Sequence, residues 1–339
     1  MLVPEARQGR VDVCQGGLLI AARSCPGIVF NIARAGLNLS LAFAGSRTDL
    51  LLGEVSMNSV SSVAIVAPGN MGAAVARRLG EHGVRVVTTL EGRGTASAVR
   101  AREAGITVVP RDRLCEAQFV LSILPPAAAL TFAKTMAPAL RSATAEKPVF
   151  VDCNAVSPDT VRQIAELVTV TGAPFIDAAI IGLPPKAGSG PGPHFYSSGP
   201  DANRLLALAT YGLDVRVLEG PVGAASALKM CYAGINKGLA AIASAMILAA
   251  ERSGATGALY QEMSESLPGL LNSLRRQVPD MLPKAYRWVA EMREIAAFGG
   301  AEDEATREIF NGFSRLFERI AEDVAGEQRA SRSLKQFFA

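Results

Sequence analysis

This 339-residue chain has little histidine and no closely spaced pair of cysteines. It contains only two histidines, His82 and His194, and none of its five cysteines pairs with another at C-x-x-C spacing. The sequence therefore offers no cluster of histidine, cysteine and carboxylate typical of a zinc site. An odd number of unpaired cysteines also favours a reduced, intracellular setting, so we expect a cytoplasmic protein without a metal.

The chain also lacks any block of like charge. Its 34 basic and 31 acidic residues leave a net charge of +3, which argues against nucleic acid or an anionic membrane surface as the main partner. The longest uncharged run in its most apolar segment covers residues 238–250, short of the roughly 20 residues that cross a bilayer. We therefore expect a small-molecule partner and no membrane partner.

Residues 1–57 have no clean hydrophobic period. A second methionine, Met57, stands just before the first clear strand. We interpret the segment as a poorly ordered extension or an over-called start of translation. Its scattered arginines and few acidic residues leave a mitochondrial presequence as the alternative. We therefore expect the functional residues to lie beyond residue 57.

From Ser61 onward, short apolar strands alternate with amphipathic helices. Strands are predicted at "SSVAIVA", "VRVVTTL", "ITVVP", "AQFVLSILPP" and "KPVFVDCNAVSP", with helices such as "GNMGAAVARRLGEHG" between them. This alternation indicates βαβ units and a mostly parallel sheet. After Gly220 the pattern is helical throughout. The sequence thus predicts an α/β Rossmann-type domain over residues 58–220 and an all-α domain for substrate binding and dimerisation over residues 221–339.

The stretch "VAIVAPGNMG" places Ala67, Gly69 and Gly72 where a dinucleotide-binding loop has G-x-G-x-x-G. A strand precedes it and a helix follows, as that motif requires. Gly69 would let the backbone approach a pyrophosphate at the helix N-terminus, and Gly72 would let helix and strand pack closely. We interpret the loop, with Asn70 and Met71 inside it, as cofactor-binding. The alternative is a tight strand-to-helix turn without a ligand.

The end of the second strand, "TTLEGRGTAS", bears on which nicotinamide cofactor binds. An acidic residue there binds the ribose hydroxyls of NAD, whereas an arginine accepts the extra phosphate of NADP. Leu90 occupies the expected acidic position, Glu91 follows it, and Arg93 comes with Thr95 and Ser97. Arg93 and the two hydroxyls favour NADP. Glu91 leaves NAD open, and an exposed loop with ordinary charges is the structural alternative.

Five motifs stand in order along the chain: "APGNMG", "LSILPP", "DCNAVSP", "FIDAAIIG" and "GPVGAASALK". They resemble those of the β-hydroxyacid dehydrogenases, the family of 3-hydroxyisobutyrate dehydrogenase and of the cofactor domain of 6-phosphogluconate dehydrogenase. The likeness covers roughly residues 62–240, and the tail is similar to an uncharacterised helical variant within the superfamily. The resemblance implies that Leu124, Pro125, Pro126 and Asn154 line the nicotinamide side of a cleft.

By the same resemblance Lys229 is the catalytic lysine. We expect it to exchange a proton with a substrate oxygen while a hydride moves between the nicotinamide and a substrate carbon. Two departures from the family accompany it. The substrate loop reads Ile181, Gly182, Leu183 in place of a serine and two glycines, which leaves Gly182 as the candidate substrate contact. One turn after the lysine, where the family has a polar residue, this chain has Ala233.

The segment from Ser226 to Glu251 is predicted to form one long helix. Lys229, Tyr232 and Asn236 share one stripe of it at helical spacing, with Asn236 about 10 Å from Lys229 along the axis. We expect Tyr232 and Asn236 to meet the substrate. The alternatives are a core role for Tyr232 and a lysine whose head reaches open solvent. The apolar remainder of the helix predicts burial against a second chain, and hence a homodimer.

The helical half carries one further charged pair. Arg287 and Glu291, in "YRWVAEMREI", stand four residues apart. We predict a surface ion pair between them. Entry into the cleft is the alternative.

Three functions fit these observations. An NAD(P)-dependent oxidoreductase acting on a small hydroxy acid or a related carbonyl compound is favoured. An imine reductase is the second, although relatives that reduce C=N bonds replace the lysine, so Lys229 favours oxygen chemistry. A cofactor-binding sensor without turnover is the third, because the substrate-loop serine is missing.

Overall fold

The computed structural model describes residues 59–143, 146–186, 188 and 192–339. The predictions made for residues 1–57 lie outside this part of the chain.

The strands of the described residues join in one sheet, in the order β3-β2-β1-β4-β5-β6-β7-β8. They are β1 (Ser62–Val66), β2 (Arg85–Thr88), β3 (Thr107–Val108), β4 (Phe119–Ser122), β5 (Val149–Asp152), β6 (Phe175–Ile181), β7 (His194–Ser198) and β8 (Asp214–Val217). Strands β1 to β6 run parallel to one another, and β7 is antiparallel to β6. Because β1 pairs with β2 on one side and β4 on the other, the strand order reverses there, which is where such sheets bind ligands.

Helices connect the parallel strands and then make up the rest of the described chain. They are α1 (Asn70–Glu81), α2 (Thr95–Glu103), α3 (Pro126–Ser142), α4 (Pro158–Thr169), α5 (Ala224–Arg252), α6 (Thr256–Ser266), α7 (Pro268–Met281), α8 (Ala285–Gly299), α9 (Glu304–Ala325) and α10 (Arg329–Phe337). Short 3-10 helices cover Arg111–Glu116, Ala202–Tyr211 and Leu282–Lys284. The predicted fold class, a Rossmann-type α/β part followed by an all-helical part, is confirmed.

The central strands are apolar because helices cover both faces of the sheet. In β1, Val63 and Ile65 belong to the core on one face, and Ala64 and Val66 belong to the core on the other. Side chains alternate between faces along a strand, so a strand buried on both sides reads as a continuous apolar run. This explains why "SVAIV" could be recognised as a strand without an alternating pattern.

The 29-residue helix α5 runs between the sheet and the C-terminal helices. Two glycines let α9 approach it closely: an added Cβ at Gly234 would lie 3.1 Å from Phe310, and one at Gly238 would lie 3.2 Å from Phe313. By length and composition alone α5 could also cross a bilayer, with 33% of its most apolar window buried inside the protein. Core helices of soluble proteins meet the same criterion, so this is weak support for a membrane span.

Candidate active site

The loop between β1 and α1 holds an alanine in a backbone conformation that favours glycine. Ala67 has a φ of 66°, in the left-handed region that costs a non-glycine residue about 1–2 kcal/mol. The backbone N–H of Gly69 donates to the Ala67 carbonyl oxygen at 2.8 Å, which closes a tight turn. The loop thus forms a tight turn even though Ala67 replaces the first glycine of the motif.

The two remaining glycines of the motif have different surroundings. An added Cβ at Gly72 would lie 2.6 Å from the carbonyl oxygen of Ala67 and 3.2 Å from Ile65, so a glycine is needed for α1 to lie this close to β1. An added Cβ at Gly69 would meet no heavy atom within 4 Å. Asn70 is exposed and Met71 packs against the core. The space beside Gly69 is therefore open to a ligand.

The N-terminus of α1 faces that space without a competing anion. Gly69 caps the helix without a side-chain bond, and the first turn contains no acidic residue. Its N–H groups and the helix dipole therefore favour a phosphate group. Arg100 braces the loop: its Nε donates to the Pro68 carbonyl oxygen at 2.8 Å, and its Nη2 donates to the Ser97 hydroxyl at 3.3 Å. The sequence motif did not reveal this arginine, because it comes from the following helix.

A cavity of about 320 Å³ lies where β1, β2 and β4 end. Its charged lining residues are Glu91, Arg93 and Arg111, and Leu124 and Phe132 contribute apolar surface. Arg93 is exposed at this cavity, where the predicted phosphate contact would be made. Arg111, at the start of the 3-10 helix after β3, was not predicted.

Asn154 joins the ends of β4 and β5 and is 2% exposed. Its Oδ1 accepts a hydrogen bond from the Leu124 backbone N–H at 2.6 Å. Its Nδ2 donates to the Ser122 hydroxyl at 2.9 Å and to Asp152 Oδ2 at 2.8 Å. Because the oxygen and both donors of the amide have partners inside the protein, Asn154 fixes the loop beyond β4. Its contact with a cofactor stays a prediction.

The two prolines of that loop follow directly. Pro125 is exposed and precedes α3, while Pro126 is the first residue of the helix, a position at which proline leaves no helical hydrogen bond unmade. Of the residues predicted on the nicotinamide side, the structure brings Leu124 and Asn154 into direct contact and places the prolines beside them.

A buried carboxylate on β6 holds the start of α5. Asp177 is 0% exposed, and its Oδ2 accepts hydrogen bonds from the backbone N–H groups of Gly223 (2.9 Å), Ala225 (3.1 Å) and Ser226 (3.2 Å) and from the Ser198 hydroxyl (2.9 Å). Its Oδ1 accepts from the Ser226 hydroxyl at 2.7 Å. A negative charge at a helix N-terminus is stabilised by the N–H groups and the dipole. This cap sets where the first turn of α5 lies.

Lys229, in the next turn of α5, lies within electrostatic range of Asp152 and Cys153 at the end of β5 and of Asp177 on β6. Burial of its ammonium lowers the pKa of Lys229, while Cys153, Asp152 and Asp177 act in the opposite direction. The residue as a whole remains partly exposed. The ammonium group therefore lies among polar residues at the sheet edge, where loss of hydration favours its neutral form.

Asp152 is the second titratable group of this edge. Burial raises the pKa of Asp152 to about 6, and Asp177 adds to the rise, whereas the hydrogen bonds from Asn154 and the charge of Lys229 oppose it. Asp152 was not predicted from the sequence. A buried carboxyl beside a lysine is a recurrent feature of sites that move protons.

The remaining predicted substrate contacts are more dispersed. Tyr232 is 52% exposed, and Asn236 accepts hydrogen bonds from Gln277 of α7, through its backbone oxygen at 2.9 Å and through its side-chain oxygen. Gly182, at the end of β6, has a φ of 130°. Leu183 is 82% exposed. The structure thus ties Asn236 to α7, and Gly182 follows the last residue of β6.

The predicted surface pair within α8 is wrong. Glu291 forms its ion pair with Lys237 of α5, and not with Arg287. The Lys237 ammonium also lies 5.2 Å from the centre of the Trp288 ring, a favourable position for a cation. The i,i+4 spacing of Arg287 and Glu291 could not reveal a partner on a different helix.

Two families match this chain. Residues 62–202 match the NAD binding domain of 6-phosphogluconate dehydrogenase, and residues 250–320 match a domain of unknown function, DUF1932. A 3-hydroxyisobutyrate dehydrogenase of Pseudomonas aeruginosa is 29% identical over 125 residues, which is 36% of this chain and 41% of that enzyme. An uncharacterised 28.5 kDa protein of Methanothermus fervidus is 30% identical over 185 residues, 54% of this chain and 68% of that protein.

Among solved structures, a conserved protein of unknown function with structural similarity to 3-hydroxyacid dehydrogenases aligns with a TM-score of 0.64 and 27% identity, over 80% of this chain and 99% of that one. The chain belongs to the β-hydroxyacid dehydrogenase superfamily. The resemblance predicted from its five motifs is confirmed, as are a nicotinamide-cofactor domain and a helical C-terminal part within this superfamily. The open space beside Gly69 and the uncapped start of α1 fit the pyrophosphate of such a cofactor.

Proposed function

We propose that this member of the β-hydroxyacid dehydrogenase superfamily is an NADP-dependent oxidoreductase. Its substrate would be a small hydroxy acid or a related carbonyl compound. The observation that supports this most directly is the burial of the Lys229 ammonium near Asp152 and Cys153, at the end of the parallel strand β5. When bound, the cofactor supplies or accepts the hydride.

Lys229 moves the proton of the reaction. In the oxidising direction its neutral amine accepts the hydroxyl proton of the substrate as the hydride leaves the carbinol carbon and the C=O bond forms. In the reducing direction the ammonium returns that proton to the carbonyl oxygen. The lowered pKa of Lys229 supports this role, because it increases the fraction of amine available near neutral pH.

The polar residues around Lys229 hold it in place for this step. Asp177 caps the helix that carries it. Asn154 fixes the loop beyond β4 through Leu124, and partial enclosure by the sheet edge limits water around the ammonium. Oxygen chemistry is supported over reduction of C=N bonds because the lysine is retained.

A cofactor-binding sensor without turnover is the second candidate. Three departures from the family favour it: Ala233 has no polar side chain, Asn236 is engaged by Gln277, and Ile181 stands where relatives have a serine. These departures remove groups that would hold a substrate carboxylate.

A panel of hydroxy acids and the corresponding carbonyl compounds, with NADP or NADPH consumption followed by absorbance, tests the proposal. Lys229→Met should lower turnover by more than about 100-fold, since a positioned general acid–base contributes about that much or more, while NADP affinity is retained. Lys134→Met, which alters an exposed lysine on α3, is the matched control. Undiminished turnover in Lys229→Met would reject the proton-transfer role. Tight NADP binding without consumption of any substrate would support the sensor.

We infer further that the protein forms a homodimer through an apolar stripe on α5. The stripe consists of Tyr232, Ile235, Leu239, Ile242 and Met246, each between 41% and 69% exposed. Alternate spacings of three and four residues place these side chains along one line of the helix, the spacing of a seam between two helices. A second copy would present the same uncharged stripe across a two-fold axis.

The cytoplasmic location expected from the cysteine content stays a prediction.

A further inference from the structure

The charged residues at the end of β2 are already connected to each other. The Glu91 carboxylate accepts a hydrogen bond from the backbone N–H of Arg111 at 3.0 Å through one oxygen. Its other oxygen lies 2.9 Å from the guanidinium of the same Arg111. Both oxygens of the only acidic residue among the cavity-lining side chains are thus held by one arginine.

Arg93, two residues further along, has a different environment. It lines the same cavity, and across residues 59–143, 146–186, 188 and 192–339 its side chain forms no hydrogen bond or ion pair. Nearby, the Ser97 hydroxyl is engaged by Arg100. The cavity therefore presents a guanidinium that is available to an anion and a carboxylate that an arginine already engages.

We propose that Arg111 determines cofactor choice in this protein by holding Glu91 away from the ribose. A free carboxylate at the end of β2 would accept the ribose hydroxyls of NAD and repel the additional phosphate of NADP. Held by Arg111, the carboxylate is paired with a positive charge and each of its oxygens already has a partner. The phosphate therefore meets a cavity whose three charged residues sum to one positive charge. This inference rests on the proposed cofactor function and extends it to a residue that the β2 motif does not contain.

The roles of the two arginines are separable. Arg93 would contact the phosphate directly, so its loss should weaken NADP and leave NAD unchanged. Arg111 acts through Glu91, so its loss should weaken NADP and also strengthen NAD, because the released carboxylate becomes an acceptor. Replacing Glu91 by glutamine should favour NADP, since it removes the negative charge and leaves two guanidinium groups at the cavity.

Calorimetric titration of the full chain with NADP and with NAD measures both dissociation constants without any turnover. For Arg111→Gln we expect the ratio of the NADP Kd to the NAD Kd to rise by about tenfold or more, the effect of one charge-assisted interaction. For Arg93→Gln we expect a similar rise in this ratio, caused by a higher NADP Kd with the NAD Kd unchanged. Arg113→Gln is the matched control, because Arg113 lies on the same 3-10 helix but pairs with Glu116 outside the cavity.

A double variant tests whether Arg111 acts through Glu91. In a Glu91→Gln background, Arg111→Gln should no longer strengthen NAD, because no carboxylate is left to release. Thermal unfolding of each variant identifies any loss of folding. An unchanged ratio in folded Arg111→Gln, or a gain of NAD affinity that persists in the double variant, would overturn the inference while leaving the cofactor function intact. Failure of the unaltered protein to bind either dinucleotide would instead overturn the proposed function.

Discussion

The Asp177 carboxylate accepts hydrogen bonds from both the backbone N–H and the side-chain hydroxyl of Ser226, three residues before Lys229. This relationship links a strand of the cofactor-binding sheet to the first turn of the helix that carries the proposed acid–base group. The position of Lys229 therefore depends on a cap that lies in the sheet and not in the helix.

Replacement of Asp177 by asparagine should destabilise the protein by about 2–4 kcal/mol. The amide would present N–H groups to donors that now share a carboxylate, leaving buried groups without partners. Urea unfolding measures the change. Asp201→Asn is the control, because Asp201 forms only a partly exposed pair with Arg204, for which less than about 1 kcal/mol is expected. Equal free energies of unfolding for the two variants would contradict the proposed cap.

Two glycines of α1 give a matched pair for testing the close approach of helix and strand. Gly72→Ala should destabilise the fold by about 1–3 kcal/mol, because its Cβ would press on the Ala67 carbonyl oxygen at 2.6 Å. Distortion of the glycine-rich loop should weaken NADP binding as well. Gly80→Ala, with no heavy atom within 4 Å of the added Cβ, should stabilise the helix by up to about 1 kcal/mol. Thermal unfolding measures the stability of both variants, and calorimetric titration measures their NADP affinity. A Gly72→Ala protein as stable as Gly80→Ala would contradict the close approach of α1 to β1.

The features that could be predicted from sequence are those encoded by neighbouring residues. The apolar run of β1, the spacing of Gly69 and Gly72 and the helical pattern after residue 220 are local, and the structure places a strand, a tight turn and helices there. The family could be recognised for the same reason, since each of its motifs is a short segment at the end of a strand or the start of a helix.

The features that could not be predicted depend on hydrogen bonds between distant segments. Asp177 and Ser226 are 49 residues apart, and Glu91 and Arg111 are 20 apart, so no local spacing reveals either pair. Helical periodicity predicts Tyr232 and Asn236 on one face. It could not show that α7 would supply Gln277 to that face.

The raised pKa of Asp152 makes stability depend on pH in a defined direction. Its pKa rises from 3.8 in the unfolded chain to about 6 in the folded protein, so the folded state binds the proton more tightly. Its contribution to stability is therefore present below pH 3.8 and lost as pH rises through about 6. Between about pH 4 and pH 7 the unaltered protein should lose up to about 3 kcal/mol relative to Asp152→Asn.

Urea unfolding of both proteins across this range measures that difference. Asp159→Asn is the control, because its carboxylate is 79% exposed and is subject to little desolvation. Any constant effect of the amide at position 152 cancels in the comparison, so only the pH dependence of the difference in stability reports on Asp152. A difference in stability that stays flat with pH would show that Asp152 is not desolvated as the structure indicates.

The proposed dimer predicts that one charge on the α5 stripe prevents association. Ile242→Asp places a carboxylate at the middle of the seam, where burial without a partner is costly, so its dimer Kd should rise by more than about 100-fold. Sedimentation velocity over a range of protein concentrations measures it. Ile309→Asp, at a 53% exposed position on α9, is the control and should associate like the unaltered protein. Two copies that share this apolar face should associate without lipid. A protein that sediments as a monomer at every concentration would therefore contradict the dimer. So would a monomer that binds phosphatidylcholine vesicles in a flotation assay, since the stripe would then contact lipid and not a second copy.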